Sequence, residues 1–122
     1  MHEFTIAENL VAAATAEAGR VGALRVVAID CRIGELRQID DLLLNEAFSL
    51  ASEGTACRGA SLRLEKVPLK AACAKCGREF PVRNWEWMCP ACGTEGRLLG
   101  GGDELELTSI EVETHGNDSS RP

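Results

Sequence analysis

Tyrosine is absent from this 122-residue chain, and aromatic residues make up only 4% of it. The hydrophobic fraction is nevertheless 45%, so aliphatic and alanine side chains must fill the core of one small domain, or of a domain with a smaller insert. Positive charge is also scarce. The formal net charge is −6, which disfavours a surface that follows nucleic-acid phosphates. No nucleophile elbow, P-loop or paired acid–base set is present, so we do not expect an enzyme.

Long apolar runs are missing as well. No segment approaches the roughly 20 apolar residues of a membrane span, and the N-terminus lacks the basic start and cleavage region of a signal peptide. We therefore expect no membrane association and a cytoplasmic location, where thiols stay reduced. In that compartment Cys31 and Cys57 are expected to be ordinary buried or free thiols.

The other four cysteines follow the pattern C-x2-C-x12-C-x2-C. They are Cys73, Cys76, Cys89 and Cys92. A two-residue gap lets both thiolates of a pair reach one ion, and tetrahedral zinc binds four such sulfurs at roughly 2.3 Å. Gly77 and Gly93 follow the two pairs and can supply the positive φ of a tight turn. The pattern predicts a structural Zn(II) site with two CxxC knuckles. Two disulfides, or four unrelated core thiols, are the alternatives.

The order of elements predicted along the chain is helix, strand, helix, strand, cysteine segment, strand. The first helix is expected to follow a capping box, with Thr5 as N-cap and Glu8 reaching back to it. The segment from Leu24 to Ile33 is predicted to be a central strand, because its first half is apolar on both faces. Asp40 or Asp41 is expected to cap the second helix.

Alternating patterns predict the two remaining strands. Leu62 and Leu64 alternate with polar residues, as in a half-exposed strand. In the last strand the apolar positions run through Leu105 and Leu107 and then slip in phase before Ile110, which one bulge would explain. The predicted fold class is α/β (α+β), with a small three-stranded mixed sheet, two helices and an inserted zinc-ribbon-like subdomain.

The domain boundaries follow from these elements. Residues 1–68 and 100–113 are expected to form the α/β domain, and residues 69–99 the zinc-binding subdomain. Residues 114–122 are polar and are expected to be a disordered tail. His115 belongs to this tail, and we do not expect it to be a metal ligand.

The first three residues form a second candidate metal site. His2 can offer its imidazole and backbone amide to one ion, together with the terminal amine of Met1, and such nitrogen ligands suit square-planar Ni(II) or Cu(II). Glu3 adds a carboxylate or another amide nitrogen. Asp40 could lend a carboxylate as well, although helix capping is its favoured role. The tripeptide alone is a weak signal, because an N-terminal histidine is usually just exposed.

Trp85 and Trp87 lie between the two knuckles. They alternate, so they could present one aromatic face to a partner. Packing over the metal site is the favoured interpretation.

Several segments together resemble one family, the HypA/HybF hydrogenase nickel-incorporation proteins. They are Met1-His2-Glu3 before an amphipathic helix, Ile33-Gly34-Glu35 after a strand, the C-x2-C-G and C-P-x-C-G knuckles, and Ile110-Glu111-Val112 in the last strand. The resemblance runs from Met1 to about Glu113. It departs after Leu36, where Arg37-Gln38 stands in place of the small residue that many family members carry.

The resemblance implies a nickel metallochaperone. By this likeness Cys73, Cys76, Cys89 and Cys92 hold structural Zn(II). His2 is the key ligand of a transient Ni(II) cargo, with the Met1 amine and Glu3 nearby, and residues 1–68 and 100–113 become the nickel-binding domain. The implied partners are a HypB-type GTPase and the [NiFe] hydrogenase large subunit precursor, and the expected state is a monomer or weak homodimer. A rubredoxin-like iron electron-transfer protein and a zinc-ribbon adaptor are the alternatives, and the acidic composition disfavours the adaptor.

Overall fold

The computed structural model describes residues 2–82, 85–100 and 102–114. Its elements, in chain order, are helix α1 (His2–Arg20), strand β1 (Arg25–Gly34), a short 3₁₀ helix (Glu35–Arg37), helix α2 (Asp41–Ser52), and strands β2 (Ser61–Val67), β3 (Lys70–Cys73), β4 (Glu79–Pro81), β5 (Gly96–Gly100) and β6 (Leu105–Glu113). They form two three-stranded sheets, ordered β2-β1-β6 and β4-β3-β5. No helix in this described part of the chain is long and apolar enough to cross a bilayer.

The predicted fold class is confirmed, since the chain has two helices, a three-stranded sheet and a subdomain that carries the cysteines. The second sheet was not predicted. Its strands have only three to five residues, too few for an alternating pattern to stand out from the sequence.

The chain divides into two compact units. We call the first the helical unit; it comprises Met1–Cys31, Ile39–Glu65 and Glu106–Pro122. The second, the knuckle unit, comprises Arg32–Gln38 and Lys66–Leu105. The 3₁₀ turn after β1 therefore groups with the cysteine segment. Residues 115–122, most of the predicted tail, lie outside the described residues, as does His115 itself.

Helix α1 begins earlier than the sequence pattern suggested. It includes His2, and Thr5 is its fourth residue, so the prediction of Thr5 as N-cap is wrong. The extra turn has tertiary support, because the Glu3 carboxylate accepts a hydrogen bond from the N–H of Asp40 at 3.0 Å. Farther along, α1 packs against α2 within the helical unit. Its buried residues recur at helical spacing, and they are Ile6, Ala7, Leu10, Val11, Ala14 and Ala18.

Helix α2 begins as predicted. Asp40 is the N-cap, with extended backbone angles, and its Oδ1 accepts a hydrogen bond from the N–H of Leu43 at 3.0 Å. Leu44, Ala47 and Phe48 form the buried stripe of the helix. The capping role favoured for Asp40 is thereby confirmed.

Strand β1 is the central strand of its sheet, as predicted. The reason given for that position was partly wrong, because Val27 is 37% exposed and the first half of the strand is not covered on both faces. Adjacent buried residues occur further along, at Ala28 and Ile29. The predicted phase slip in β6 is visible in its burial, since Thr108 and Ser109 are both exposed between half-buried positions. A bulge at this point stays a prediction.

The core of the knuckle unit is built around β3. This strand pairs antiparallel with β4 and with β5, so Ala71 lies between Phe80 and Leu98. The buried cluster contains Leu69, Ala71, Cys73, Phe80, Val82 and Cys89. Trp87 packs against it, as predicted, whereas Trp85 is 52% exposed and the packing prediction for that residue is wrong.

Two main-chain hydrogen bonds hold the 3₁₀ turn within the knuckle unit. The N–H of Gly34 donates to the carbonyl of Glu104 at 2.9 Å, and the N–H of Leu36 donates to the carbonyl of Gly102 at 2.6 Å. A Cβ on Gly34 would lie 2.0 Å from the carbonyl carbon and oxygen of Gly102, so only glycine fits. Arg37 adds a bond from its Nε to the carbonyl of Asp103 at 2.9 Å. Arg37 therefore contributes to the hydrogen bonds that hold the turn.

Candidate metal sites

The first knuckle, residues 73–78, is a tight turn held by main-chain hydrogen bonds. The N–H of Cys73 donates to the carbonyl of Arg78 at 2.9 Å, and the carbonyl of Cys73 accepts from the N–H of Gly77 at 2.8 Å. Gly77 has a φ of +79°, which residues with a Cβ rarely adopt. The turn directs the N–H of Cys76 at the Sγ of Cys73, at 3.4 Å.

The second knuckle, residues 89–94, repeats this geometry. The N–H of Cys89 donates to the carbonyl of Thr94 at 2.8 Å, and the N–H of Gly93 donates to the carbonyl of Cys89 at 2.8 Å. Gly93 has a φ of +70°, and the N–H of Cys92 points at the Sγ of Cys89 at 3.4 Å. In each knuckle the first sulfur is therefore oriented by the backbone of the turn that follows it.

All four knuckle sulfurs converge. Their Sγ atoms lie within 4.8 Å of one another, and those of Cys76 and Cys89 are 3.8 Å apart. Sulfurs at the corners of a tetrahedron around an ion about 2.3 Å away would be separated by about 3.8 Å. Cys73 and Cys89 are buried, whereas Cys76 and Cys92 are exposed. The four-cysteine set thus has the composition and spacing of a tetrahedral site for a soft metal.

The electrostatics of the cluster favour a cation. Backbone N–H groups, first that of Cys76 and also that of Lys75, lower the pKa of Cys73 to about 6. The pKa of Cys92 is raised to about 12, chiefly by its hydrogen bond with Cys76, and burial adds to the increase. Four thiolates at this spacing repel one another, so they cannot all ionise without a positive charge among them. A divalent ion between the sulfurs would supply that charge.

The N-terminal candidate site lies at the start of α1. His2 is the first described residue of the helix, and Met1 lies outside the described residues. Glu3 Oε2 is 3.0 Å from the backbone nitrogen of Asp40, so the first turns of α1 and α2 are joined through the Glu3 side chain. The Asp40 carboxylate itself is engaged in capping. Thirty-seven residues separate Glu3 from Asp40, so no local sequence pattern could have revealed this bond.

Cys31 and Cys57 are not among the four convergent cysteines, and both are buried, as predicted. The Sγ of Cys57 is 3.7 Å from the hydroxyl of Thr15 and 3.9 Å from the carbonyl of Val11. Burial raises the pKa of the Cys31 thiol to about 11. The Cys31 thiol therefore stays protonated and unreactive at neutral pH.

Comparison with known proteins gives a consistent result. A family model described as "Hydrogenase/urease nickel incorporation, metallochaperone, hypA" matches residues 1–112. The hydrogenase maturation factor HypA of Geobacter metallireducens is 36% identical over 113 residues, which cover 93% of this chain and 100% of that protein. The HypA of Nitrosospira multiformis is 38% identical over 114 residues, covering 93% and 99%.

Solved structures share the fold. The solution structure of the Ni metallochaperone HypA from Helicobacter pylori aligns with a TM-score of 0.62 at 22% identity, over 93% of this chain and 98% of that one. The family model matches all but the last ten residues of the 122, and the curated relatives match over almost their whole lengths. The chain therefore belongs to the HypA family of hydrogenase and urease nickel-incorporation metallochaperones.

Proposed function

We propose that this protein carries Ni(II) at its N-terminus and delivers it to the large subunit precursor of a [NiFe] hydrogenase, together with a HypB-type GTPase. The main support for this proposal is the family match, which spans both the N-terminal triplet and the four convergent cysteines. Nickel is cargo in this proposal, bound and released without chemical change, so the function is binding and delivery rather than catalysis. The cytoplasm is the proposed location, because its reducing conditions keep the knuckle thiols available for a metal.

The four cysteines, in this proposal, hold a structural Zn(II). The donor set fits: four sulfurs within 4.8 Å of one another, two of them buried. Zinc supplies positive charge without redox chemistry. Cys73 and Cys89 are themselves members of the buried cluster, so metal binding and packing of the knuckle unit are expected to be coupled. Four thiolates would also suit iron, and colour distinguishes the two, since an oxidised iron site is red and zinc is colourless.

The proposed nickel ligands are the His2 imidazole, the Met1 amine and Glu3. The start of α1 at His2 supports the use of backbone nitrogens here. The first four N–H groups of a helix have no acceptor within it, so the amides of His2 and Glu3 can bind a metal without breaking a helical hydrogen bond. Imidazole and amide nitrogens suit Ni(II).

A helix N-terminus carries a partial positive charge, which by itself opposes a bound cation. The Glu3 carboxylate lies in that first turn and offsets this charge. Its hydrogen bond from the Asp40 N–H also limits how far the N-terminal turn can move from the start of α2. We therefore assign Glu3 two roles, one electrostatic and one positional.

Two substitutions separate these roles. Glu3→Gln removes the charge but keeps an oxygen that can accept the Asp40 N–H, whereas Glu3→Ala removes both. If position matters most, Glu3→Gln keeps most of the nickel affinity. If charge or direct coordination matters most, the two variants lose nickel affinity equally. Isothermal titration with Ni(II) measures the difference.

The test of the whole proposal is metal analysis of the purified protein before and after Ni(II) titration. We expect one tightly held zinc and one more weakly held nickel. His2→Ala should abolish nickel binding and leave the zinc content unchanged. His115→Ala is the matched control, because it removes the other histidine of the chain without touching the N-terminal triplet. A His2→Ala protein that binds one Ni(II) with unchanged affinity would refute the nickel site.

A further inference from the structure

The knuckle unit contains an open pocket of about 330 Å³ that none of the proposed metal ligands lines. Its walls are formed by Glu35, Gln38, Leu69, Val82 and Trp85. Leu69 and Val82 are 2% and 3% exposed and belong to the buried cluster. These two side chains give the pocket an aliphatic floor that is continuous with the buried cluster, and the pocket volume lies at the lower end of the range for ligand sites.

Trp85 supplies an aromatic wall to this pocket. The residue is 52% exposed, so much of its large apolar surface meets water. Its backbone has a φ of +61°, and Gln38 has a φ of +51°; within the described residues, these are the non-glycine residues with positive φ. Bulky side chains rarely adopt this conformation. Both residues line the pocket, so the described non-glycine residues with the least favourable backbone angles form two of the pocket walls.

Glu35 supplies a carboxylate. Within residues 2–82, 85–100 and 102–114, no cation or hydrogen-bond donor is paired with its side chain. The Nε of the nearby Arg37 is directed at the carbonyls of Asp103 and Glu104 instead, at 2.9 and 3.3 Å. The turn is fixed further by the bond from the N–H of Gln38 to the carbonyl of Glu35 at 3.1 Å. The turn that carries this carboxylate is thus held by several hydrogen bonds.

We propose that this pocket binds an arginine side chain presented by a partner protein. Aromatic ring, carboxylate and aliphatic floor match the three parts of that side chain. A guanidinium stacks on an indole face and forms paired hydrogen bonds with a carboxylate, and the methylene stem packs on apolar carbons. The amide oxygen of Gln38 offers a further acceptor for the five N–H groups of the guanidinium.

Arginine fits these walls better than lysine does. The guanidinium is planar, so it can stack on Trp85 and bond with Glu35 at the same time, whereas an ammonium acts as a point charge with a tightly held water shell. The net charge of −6 favours the approach of a basic partner surface over long distances. The pocket uses none of the N-terminal or cysteine ligands, so this inference stands or falls independently of the nickel proposal.

The test uses the full-length, zinc-loaded protein labelled with nitrogen-15. The probe is the peptide acetyl-Gly-Arg-Gly-amide, and the same peptide with citrulline or lysine in place of arginine provides the comparison. We expect the arginine peptide to shift the indole N–H signal of Trp85 and the amide signals around Glu35. Glu35→Gln and Trp85→Leu should each weaken binding by about tenfold or more, because a charged hydrogen-bond partner or the stacking surface is lost.

Glu86→Gln is the matched control, because Glu86 is an exposed carboxylate one residue from Trp85 that does not line this pocket. It should bind the arginine peptide like the parent protein. Retained zinc content and an otherwise unchanged amide spectrum establish that each variant is folded. The proposal is overturned if the citrulline or lysine peptide binds as well as the arginine peptide. It is also overturned if Glu86→Gln weakens binding as much as Glu35→Gln, or if the arginine peptide binds more weakly than about 10 mM.

Discussion

Gly77 closes the first knuckle with a φ of +79°, and its replacement by alanine isolates the contribution of that backbone angle to metal binding. A Cβ built on Gly77 meets no heavy atom within 4 Å, so the substitution introduces no clash. The remaining cost is that of a left-handed conformation for a residue with a Cβ, about 1–2 kcal/mol. The same turn directs the Cys76 N–H at the Cys73 sulfur, so this cost opposes formation of the metal-bound knuckle.

We therefore expect Gly77→Ala to weaken zinc affinity by about 5- to 30-fold. Competition against a chromophoric chelator at neutral pH measures the change. Gly77→Asn should lose less, because asparagine tolerates the left-handed region better than alanine does. Gly93 has a φ of +70°, and a Cβ built on it also meets no heavy atom within 4 Å. Gly93→Ala should therefore behave like Gly77→Ala.

Gly54→Ala is the control for this prediction. Gly54 has a φ of +76° and equally open surroundings, but it lies in the helical unit, just after α2. Its replacement should lower the resistance to urea by a similar free energy and leave the zinc affinity unchanged. Equal zinc affinity in Gly77→Ala and the parent protein, or an equal loss in Gly54→Ala, would refute the link between this backbone angle and the metal site.

Three further predictions concern stability. Gly34→Ala should reduce the free energy of unfolding by at least about 3 kcal/mol in urea titrations, because its Cβ would lie 2.0 Å from backbone atoms of Gly102; a loss below about 1 kcal/mol would show that the approach is not tight. Asp40→Ala should cost about 1 kcal/mol in thermal unfolding and Asp40→Asn much less, since the amide oxygen also caps; equal losses would contradict the capping role. A hydrogen bond from Arg63 holds the pKa of Asp30 below its usual 3.8. The contribution of this pair to the stability of the folded state is therefore present above that pH and is lost as the pH falls through the folded pKa of Asp30. Urea midpoints at about pH 6 and pH 3 should therefore differ more in the parent than in Arg63→Met, and identical differences would refute this contribution.

Local patterns predicted the features that depend on local chemistry. The CxxC spacing identified four sulfurs that the structure brings within 4.8 Å, because each knuckle is a turn of six residues whose geometry its own glycine allows. The cap at Asp40 was found for the same reason, since its bond partner is three residues away. The slip in β6 was visible because burial follows the alternation of apolar residues directly.

Features that depend on distant contacts were missed. The capping box at Thr5 satisfies the sequence rule, but the helix extends to His2, where Glu3 reaches Asp40 in another element. No local sequence pattern around Gly34 predicts its contact with Gly102, because the two residues are 68 positions apart in the chain. The sequence pattern does not distinguish Trp85 from Trp87. Only the fold packs Trp87 against the core and leaves Trp85 at a pocket.

The unequal burial of the four knuckle sulfurs affects how the protein must be handled. Cys73 and Cys89 are 2% exposed, whereas Cys76 and Cys92 lie at the surface. A chelator, an alkylating reagent or an oxidant therefore reaches one sulfur of each pair first, and the two buried sulfurs only after the knuckles have loosened. Oxidation of the exposed pair removes two of four donors at once and turns them into groups that no longer bind zinc. The metal content of a purified sample therefore depends on the chelators and oxidants to which the protein was exposed during purification.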